Sequence, residues 1–197
     1  MYLDPAFYLR DDVVMIARDL LGKYLCTEIN GVVTSGIITE TEAYAGTSDK
    51  ASHAYNGRRT ERTETMYRKG GVAYIYLCYG VHSLFNVVTN QEGVPHAVLI
   101  RGIKPADGIP EMLNRTGAAN LTPKTGIGPG KVTKLLGLHY SMTGRDLTGA
   151  EGKAGDRIWI EDRGLKVYDE QLRISARIGV DYAGEDAKLP YRFFISL

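Results

Sequence analysis

The stretch GVAYIYLCYGVHSLFNVVTN at 71–90, with HAVLIRG at 96–102 close behind it, decides the architecture. Its three apolar runs, VAYIYLCY, LFNVVTN and HAVLIRG, are rich in β-branched and aromatic residues, the composition of strands. Gly80 to Ser83 alone separate the first two, a spacing that predicts a hairpin. Upstream, GVVTSGIITETEAY (31–44) reads as two strands or one long bent one. Downstream, RIWIED (157–162), ISARIGV (174–180) and YRFFIS (191–196) are further strand candidates. Helices are expected at the flanks: VVMIARDLLG (13–22), capped by Asp11 or Asp12 and ended by Gly22, a short one opening at Asp107 to Met112, and one fed by the glycine-rich turn of GPGKVTKLLGL (128–138). Strands grouped in the middle, with helices not alternating between them, give an α+β class rather than a doubly wound parallel sheet.

Composition narrows the function classes. The chain has 197 residues, 44% of them hydrophobic, enough for one large domain or, less comfortably, two small ones. No run approaches the roughly 18 apolar residues of a membrane span, and MYLDPAFYLRDD lacks the apolar core of a secretion signal. Cys26 and Cys78 form neither a disulfide framework nor a metal-binding spacing, so a reduced, cytoplasmic protein is expected, with no metal. Net charge is only +1, yet Lys50 to Lys69 holds six basic residues against Glu61 and Glu64. That local excess suits phosphate contact and equally suits a solvated loop.

Two constellations carry chemistry. In Glu40-Thr41-Glu42-Ala43-Tyr44, strand alternation puts Glu40, Glu42 and Tyr44 on one face and Thr41 and Ala43 on the other. A carboxylate beside an aromatic ring can activate a water next to a stacked planar base; the plainer reading is the solvated face of an edge strand. His53 is near enough in sequence to reach the same place. In YIYLCYG (74–80), Tyr74 and Tyr76 share a face, and Tyr79 falls at the hairpin tip, placed to wedge into a base stack. An ordinary aromatic strand would read the same, although 13 Tyr against 4 Phe favours half-wet contact surfaces. Asn86 reads a base edge or satisfies the backbone, and Arg101 pairs a carboxylate or holds a water. GIGPGKVTK (126–134) lacks P-loop spacing, but its amides with Lys131 suit one backbone phosphate, or a plain turn.

These segments, in this order, resemble the alkyladenine-type 3-methyladenine DNA glycosylases (N-methylpurine DNA glycosylases). The likeness runs from PAFYLRDDVVMIARDLLGKYL (5–25) to ARIGVDYAGEDAKLPYRFFI (176–195). It is carried by ETEAY (40–44), SHAYNGRRTERTETMY (52–67), YIYLCYG (74–80), VLIRG (98–102) and GPGKVTKLLG (128–137). The resemblance implies one compact α+β domain over 1–197 with a curved, mainly antiparallel sheet, no cofactor, and double-stranded DNA with damaged purines as partner; a monomer is expected. It implies that Glu42 activates the attacking water with help from Arg101. Tyr44, His53 and Tyr76 would hold the flipped base, and Asn86 would guard against guanine. Tyr79 would fill the vacated stack, with Arg58, Thr60, Met66 and Lys131 contacting DNA. The substrates implied are alkylated or deaminated purines, 3-methyladenine, 7-methylguanine, hypoxanthine and ethenoadenine, and the product an abasic site.

Departures from the family bear on substrate range. The span between Asn86 and Arg101 is longer than in mammalian relatives, His82 and Leu84 differ beside the hairpin tip, and the mammalian N-terminal extension is absent. No lysine lies in ETEAY or YIYLCYG to act as a Schiff-base nucleophile, so no lyase step is expected. Two other classes stay open on residues alone: a non-catalytic nucleic-acid-binding module, and a nucleoside or sugar hydrolase using both Glu40 and Glu42.

Overall fold

A computed structural model describes residues 1–149 and 155–197. Asp4 and Asp12 start the two N-terminal helices, α1 (Pro5–Tyr8) and α2 (Val13–Asp19), by accepting first-turn amides: Ala6 on Asp4, Val14 and Met15 on Asp12. Of the two aspartates offered by the sequence, Asp12 is the cap of α2. β1 (Tyr24–Ile29) and β2 (Val32–Tyr44) meet at Asn30-Gly31. Both turn residues have positive φ, 52° and 75°, the backbone that a two-residue hairpin demands.

β2 is the single long bent strand. It runs antiparallel to β5 (His96–Asp107) and carries irregularities at Ser35/Gly36 and on both sides of Glu40. Extra residues on one strand bend it and increase twist, which curls the sheet. β3 (Ala73–Cys78) and β4 (His82–Thr89) form the expected hairpin, but the connection is 79–81, one step earlier than the glycine spacing suggests. Asp107 ends β5 instead of opening a helix. Gly108 turns the chain at φ 71°, where an added Cβ would lie 2.3 Å from the Val33 carbonyl oxygen, and α3 follows at Ile109–Thr116. α4 (Pro129–Leu136) follows the glycine-rich turn as expected and packs on β4 and β5.

Near the C-terminus, β6 (Arg157–Glu161), β7 (Leu172–Ser175) and β8 (Arg192–Ile195) complete an all-antiparallel sheet of order β3-β4-β5-β2-β1-β6. β8 pairs with β2 at Glu40 to Glu42, and β7 pairs with β8. β1 therefore borders the first half of β2 and β8 part of the second, so Glu42 lies inside the sheet. The ISARIGV expectation is corrected: only Ile174 and Ser175 are strand, and the chain leaves the sheet at Ala176 because the next side chain, Arg177, turns inward to a buried aspartate.

One main core spans the chain from Leu3 to Ile195. It takes Ile16 and Leu20 from the α2 region, Ala43, Ile75, Phe85, Val98 and Ile100 from one sheet face, Leu135 and Leu136 from α4, and Phe193 from β8. A smaller cluster on the opposite face (Ala54, Met66, Tyr67, Tyr74, Val88 and Ala97) lies under the segment 46–71, which the structure winds into short 3₁₀ turns. Among the described residues, no helix is long and apolar enough to cross a membrane.

Candidate active site

Strand alternation sorts the middle of the sheet into two faces. Ala73, Ile75, Phe85, Val87, Val98 and Ile100 enter the core. Their neighbours Tyr74, Tyr76, Leu84, Asn86, Leu99 and Arg101 line a cavity of about 210 Å³ on the other side. Register makes one row of it: Tyr74 opposite Asn86, Asn86 opposite Leu99, Leu99 opposite Glu42 and Glu42 opposite Arg192. His53 and Met66 come in from the 46–71 segment, and Ile178, Gly179, Val180 and Tyr182 from the loop after β7.

Glu42 lies behind this cavity with its side chain fully buried, not on the solvated face of an edge strand. Oε1 accepts the Ile178 amide at 2.8 Å and faces Arg101 Nε at 3.3 Å, and Oε2 accepts the Tyr44 hydroxyl at 2.8 Å. Burial raises the Glu42 pKa above the usual carboxylate value, against the lowering effects of Arg101, the Ile178 amide and Tyr44. Glu42 itself does not line the cavity, whereas Tyr44, Arg101 and Ile178, which bond to it, all do. Glu40 has a different setting. Its Oε1 accepts Arg101 Nε at 3.1 Å and Arg192 Nε at 2.6 Å. Two guanidiniums engage it, which takes away the second free carboxylate that a two-carboxylate sugar hydrolase needs.

The aromatic walls are fixed by each other. His53 packs edge-on to Tyr76 with centroids 4.6 Å apart, and its Nδ1 lies 2.9 Å from the Tyr74 hydroxyl. Burial, helped by Arg62 and Arg58, lowers the His53 pKa to about 4, so the ring is neutral at neutral pH. The Arg62 guanidinium sits 4.9 Å from the Tyr76 ring centroid. Asn86 is buried and donates its amide to the carbonyls of Tyr74 and Leu84, so the acceptor Oδ1 is the atom it can offer a ligand.

Outside the pocket, Tyr79 stands at the hairpin tip 95% exposed, at φ 51°. A non-glycine residue in that left-handed region costs roughly 1–2 kcal/mol. The tip borders both the cavity mouth and a groove shared with His82, Gly128, Pro129 and Lys131. Tyr79 and Lys131 are thus brought together. Lys131 Nζ reaches the Lys124 carbonyl, and the Lys131 and Val132 amides are both used by Gly128, which leaves few free donors at this helix start. Arg58 and Thr60 are exposed on the 46–71 segment and do not line the cavity. Met66, expected among the DNA contacts, is 2% exposed and forms part of the pocket wall.

Residue patterns missed Asp49, Arg177, Ile178 and Tyr182. Arg177 and Asp49 form a buried bidentate pair at 2.5 and 2.8 Å, and Arg177 also donates to the carbonyls of Ala43 and Asp186. Its guanidinium lies 4.8 Å from the Tyr44 ring centroid. The available signal was ARIGV at 176–180, where an arginine interrupts an otherwise apolar run. Among the described residues, no three His, Cys, Asp or Glu side chains are grouped to hold a metal ion.

An aromatic-walled cavity with one buried carboxylate behind it, beside an exposed tyrosine at a hairpin tip, has the layout of an enzyme that cleaves a base from its sugar. Known proteins agree. The methylpurine-DNA glycosylase (MPG) family pattern matches residues 6–197, and the chain belongs to that family. It is therefore a DNA glycosylase, a hydrolase of N-glycosyl bonds serving DNA repair. Among its relatives, a Chlamydia felis protein assigned as a 3-methyladenine DNA glycosylase is 46% identical over 203 residues, covering 99% of this chain and 96% of the relative. Similar proteins from Chlamydia abortus and Chlamydia pneumoniae, assigned in the same words, are 46% and 43% identical and cover 99% and 98% of this chain, 98% and 95% of their own length.

Proposed function

We propose that this chain flips alkylated or deaminated purines (3-methyladenine, 7-methylguanine, hypoxanthine and ethenoadenine) out of duplex DNA and hydrolyses their N-glycosidic bond with a water activated by Glu42, leaving an abasic site. The observation that carries the reading is the buried Glu42 carboxylate, bonded to Arg101, Tyr44 and Ile178 directly behind a slot walled by Tyr44, His53 and Tyr76. The base stacks in the slot, which offsets the few kcal/mol needed to unstack it. Tyr79 takes its place in the duplex, which gives a purpose to a tyrosine held exposed in the left-handed region. Arg58, Thr60 and Lys131 contact the DNA backbone, and Met66 meets the base from the pocket wall.

An N3- or N7-alkylated purine is cationic and leaves readily, and the neutral His53 does not repel it. As the bond to C1′ lengthens, positive charge grows on the sugar, and the Glu42 carboxylate both stabilises it and removes the water proton. The Tyr44 hydroxyl donates to Oε2, which keeps a second lone pair for the proton of that water. With the Tyr44 hydroxyl kept in place, a base stacked on the Tyr44 ring meets a carboxylate already oriented for that water. Asn86 discriminates by what it presents at the base edge, and Arg101 orients the water beside Glu42.

Single-turnover base release from duplexes with hypoxanthine or ethenoadenine, and from methylated DNA, tests this with wild type and Glu42→Gln. The variant is expected to bind DNA while losing roughly 10²–10⁴-fold in rate. Equal rates in the two proteins would remove Glu42 from the mechanism.

A further inference from the structure

The geometry points to the buried Asp49–Arg177 pair as a positioning device for the glycosylase reaction, one that sets both uncharged donors of Glu42 at once. The inference rests on the proposed role of Glu42 as base. Arg177 and Asp49 come from the two segments that close the cavity, 45–71 and 176–191, and their side chains are 0% and 1% exposed. Such a pair is costly to bury, and hydrophobic residues of equal volume would often fold as well or better. Its contacts show what it does besides hold the fold. The guanidinium sits 4.8 Å from the Tyr44 ring centroid and donates to the Ala43 carbonyl, so it supports the ring and the backbone on either side of the peptide joining them. The next residue after Arg177 is Ile178, whose amide reaches Glu42 Oε1 at 2.8 Å. Asp49 in turn accepts the Ala45 and Ala51 amides, which ties the loop after Tyr44 to the same point.

Glu42 thus has two hydrogen-bond donors and one ion-pair partner. Arg101 is a charge on β5, held by Glu40 and placed without help from the pair. The Tyr44 hydroxyl and the Ile178 amide are neutral, and both depend on where Arg177 sits. Each stabilises the carboxylate over the acid and partly opposes burial. If the pair is disturbed, both donors drift, and the base is deprotonated only at higher pH. The charged and titratable groups facing Glu42 are Arg101 on β5, Glu40 and Tyr44 on β2, Arg192 on β8, and Arg177 and Tyr182 on the closing loop.

Direct electrostatics and positioning predict different shifts for each variant, which makes the test decisive. Asp49→Asn removes a negative charge and leaves Arg177 less compensated, so charge alone would lower the Glu42 pKa. Arg177→Lys keeps the charge but loses the planar fork, so charge alone would leave it unmoved. Positioning predicts an upward shift in both. The measurement is the pH profile of single-turnover release from a hypoxanthine or methylated duplex by the full chain, with thermal melts and DNA affinity alongside. The expected result is near-native DNA affinity and an acid limb moved up by about one pH unit, a tenfold loss at pH values on that limb that shrinks as pH rises. An unmoved or lowered limb, a rate loss equal at every pH, or failure of both variants to fold would assign the pair to stability alone and overturn the inference. A wild type that releases no base would instead sink the proposed function.

Discussion

Phe85 and Asn86 are adjacent on β4 and both buried, yet they belong to different halves of the molecule. Phe85 enters the main hydrophobic core on the side of the sheet covered by α4. Asn86 faces the cavity, and its amide must be satisfied by the carbonyls of Tyr74 and Leu84. The same contrast repeats on β2 between Ala43 and Glu42 and on β5 between Ile100 and Arg101. One face of the sheet makes the protein stable and the other makes it reactive. A period-two strand keeps the two separate at a spacing of one residue.

Substitutions can break or sharpen that contrast. The largest effect is expected at Glu42→Gln, with its 10²–10⁴-fold loss of base release and little change in melting temperature. Burial has raised the Glu42 pKa, so this group's contribution to stability is greatest at low pH and is lost as pH rises through the folded value. A neutral isostere avoids that loss, and the variant should melt no lower than wild type at pH 7. Phe85→Ala should do the reverse: about 3–5 kcal/mol less stable in denaturant melts, with the acid limb of base release unmoved below its unfolding range. A shifted limb would mean that the two faces are coupled through the sheet. Tyr79→Ala belongs to neither face. It should leave stability within about 0.5 kcal/mol and weaken binding to a lesion duplex by about 1–3 kcal/mol, read by titration at fixed salt. The smallest effect at neutral pH concerns His53. Its folded pKa of about 4 lies below the ordinary 6.5, so the unfolded chain takes up its proton first as pH falls. Melting temperature should therefore drop between pH 6.5 and 4, and His53→Asn should flatten part of that slope.

What could be read before the structure was mostly local. Asp12 as a cap, the Tyr74/Tyr76 face, the exposed Tyr79 and the sharing of a face by Glu40, Glu42 and Tyr44 all follow from spacings of a few residues. The helix after Asp107 was displaced because a left-handed glycine, set by the close approach of β2, ends the strand first. ISARIGV carries strand composition, yet Arg177 finds its partner 128 residues away, and no local pattern encodes such a pairing. The separate fates of Glu40 and Glu42 were hidden for the same reason. Arg192, which claims Glu40, lies 152 residues along the chain. The resemblance puts Met66 among the DNA contacts, and its burial with Tyr67, Tyr74 and Ala97 is not legible in a segment so polar and basic.

The pairing of β8 with β2 also has a consequence in time. A ribosome delivers Glu42 early and Ile178, Arg177 and Arg192 near the end of the described chain. Until the closing loop and β8 emerge, the carboxylate has a solvent-facing strand edge and lacks its amide donor. A nascent chain can fold much of its sheet, but the surroundings of Glu42 stay incomplete until residues 177–192 have emerged. A chain truncated before Arg177 would lack the Ile178 amide and the β8 strand that enclose Glu42.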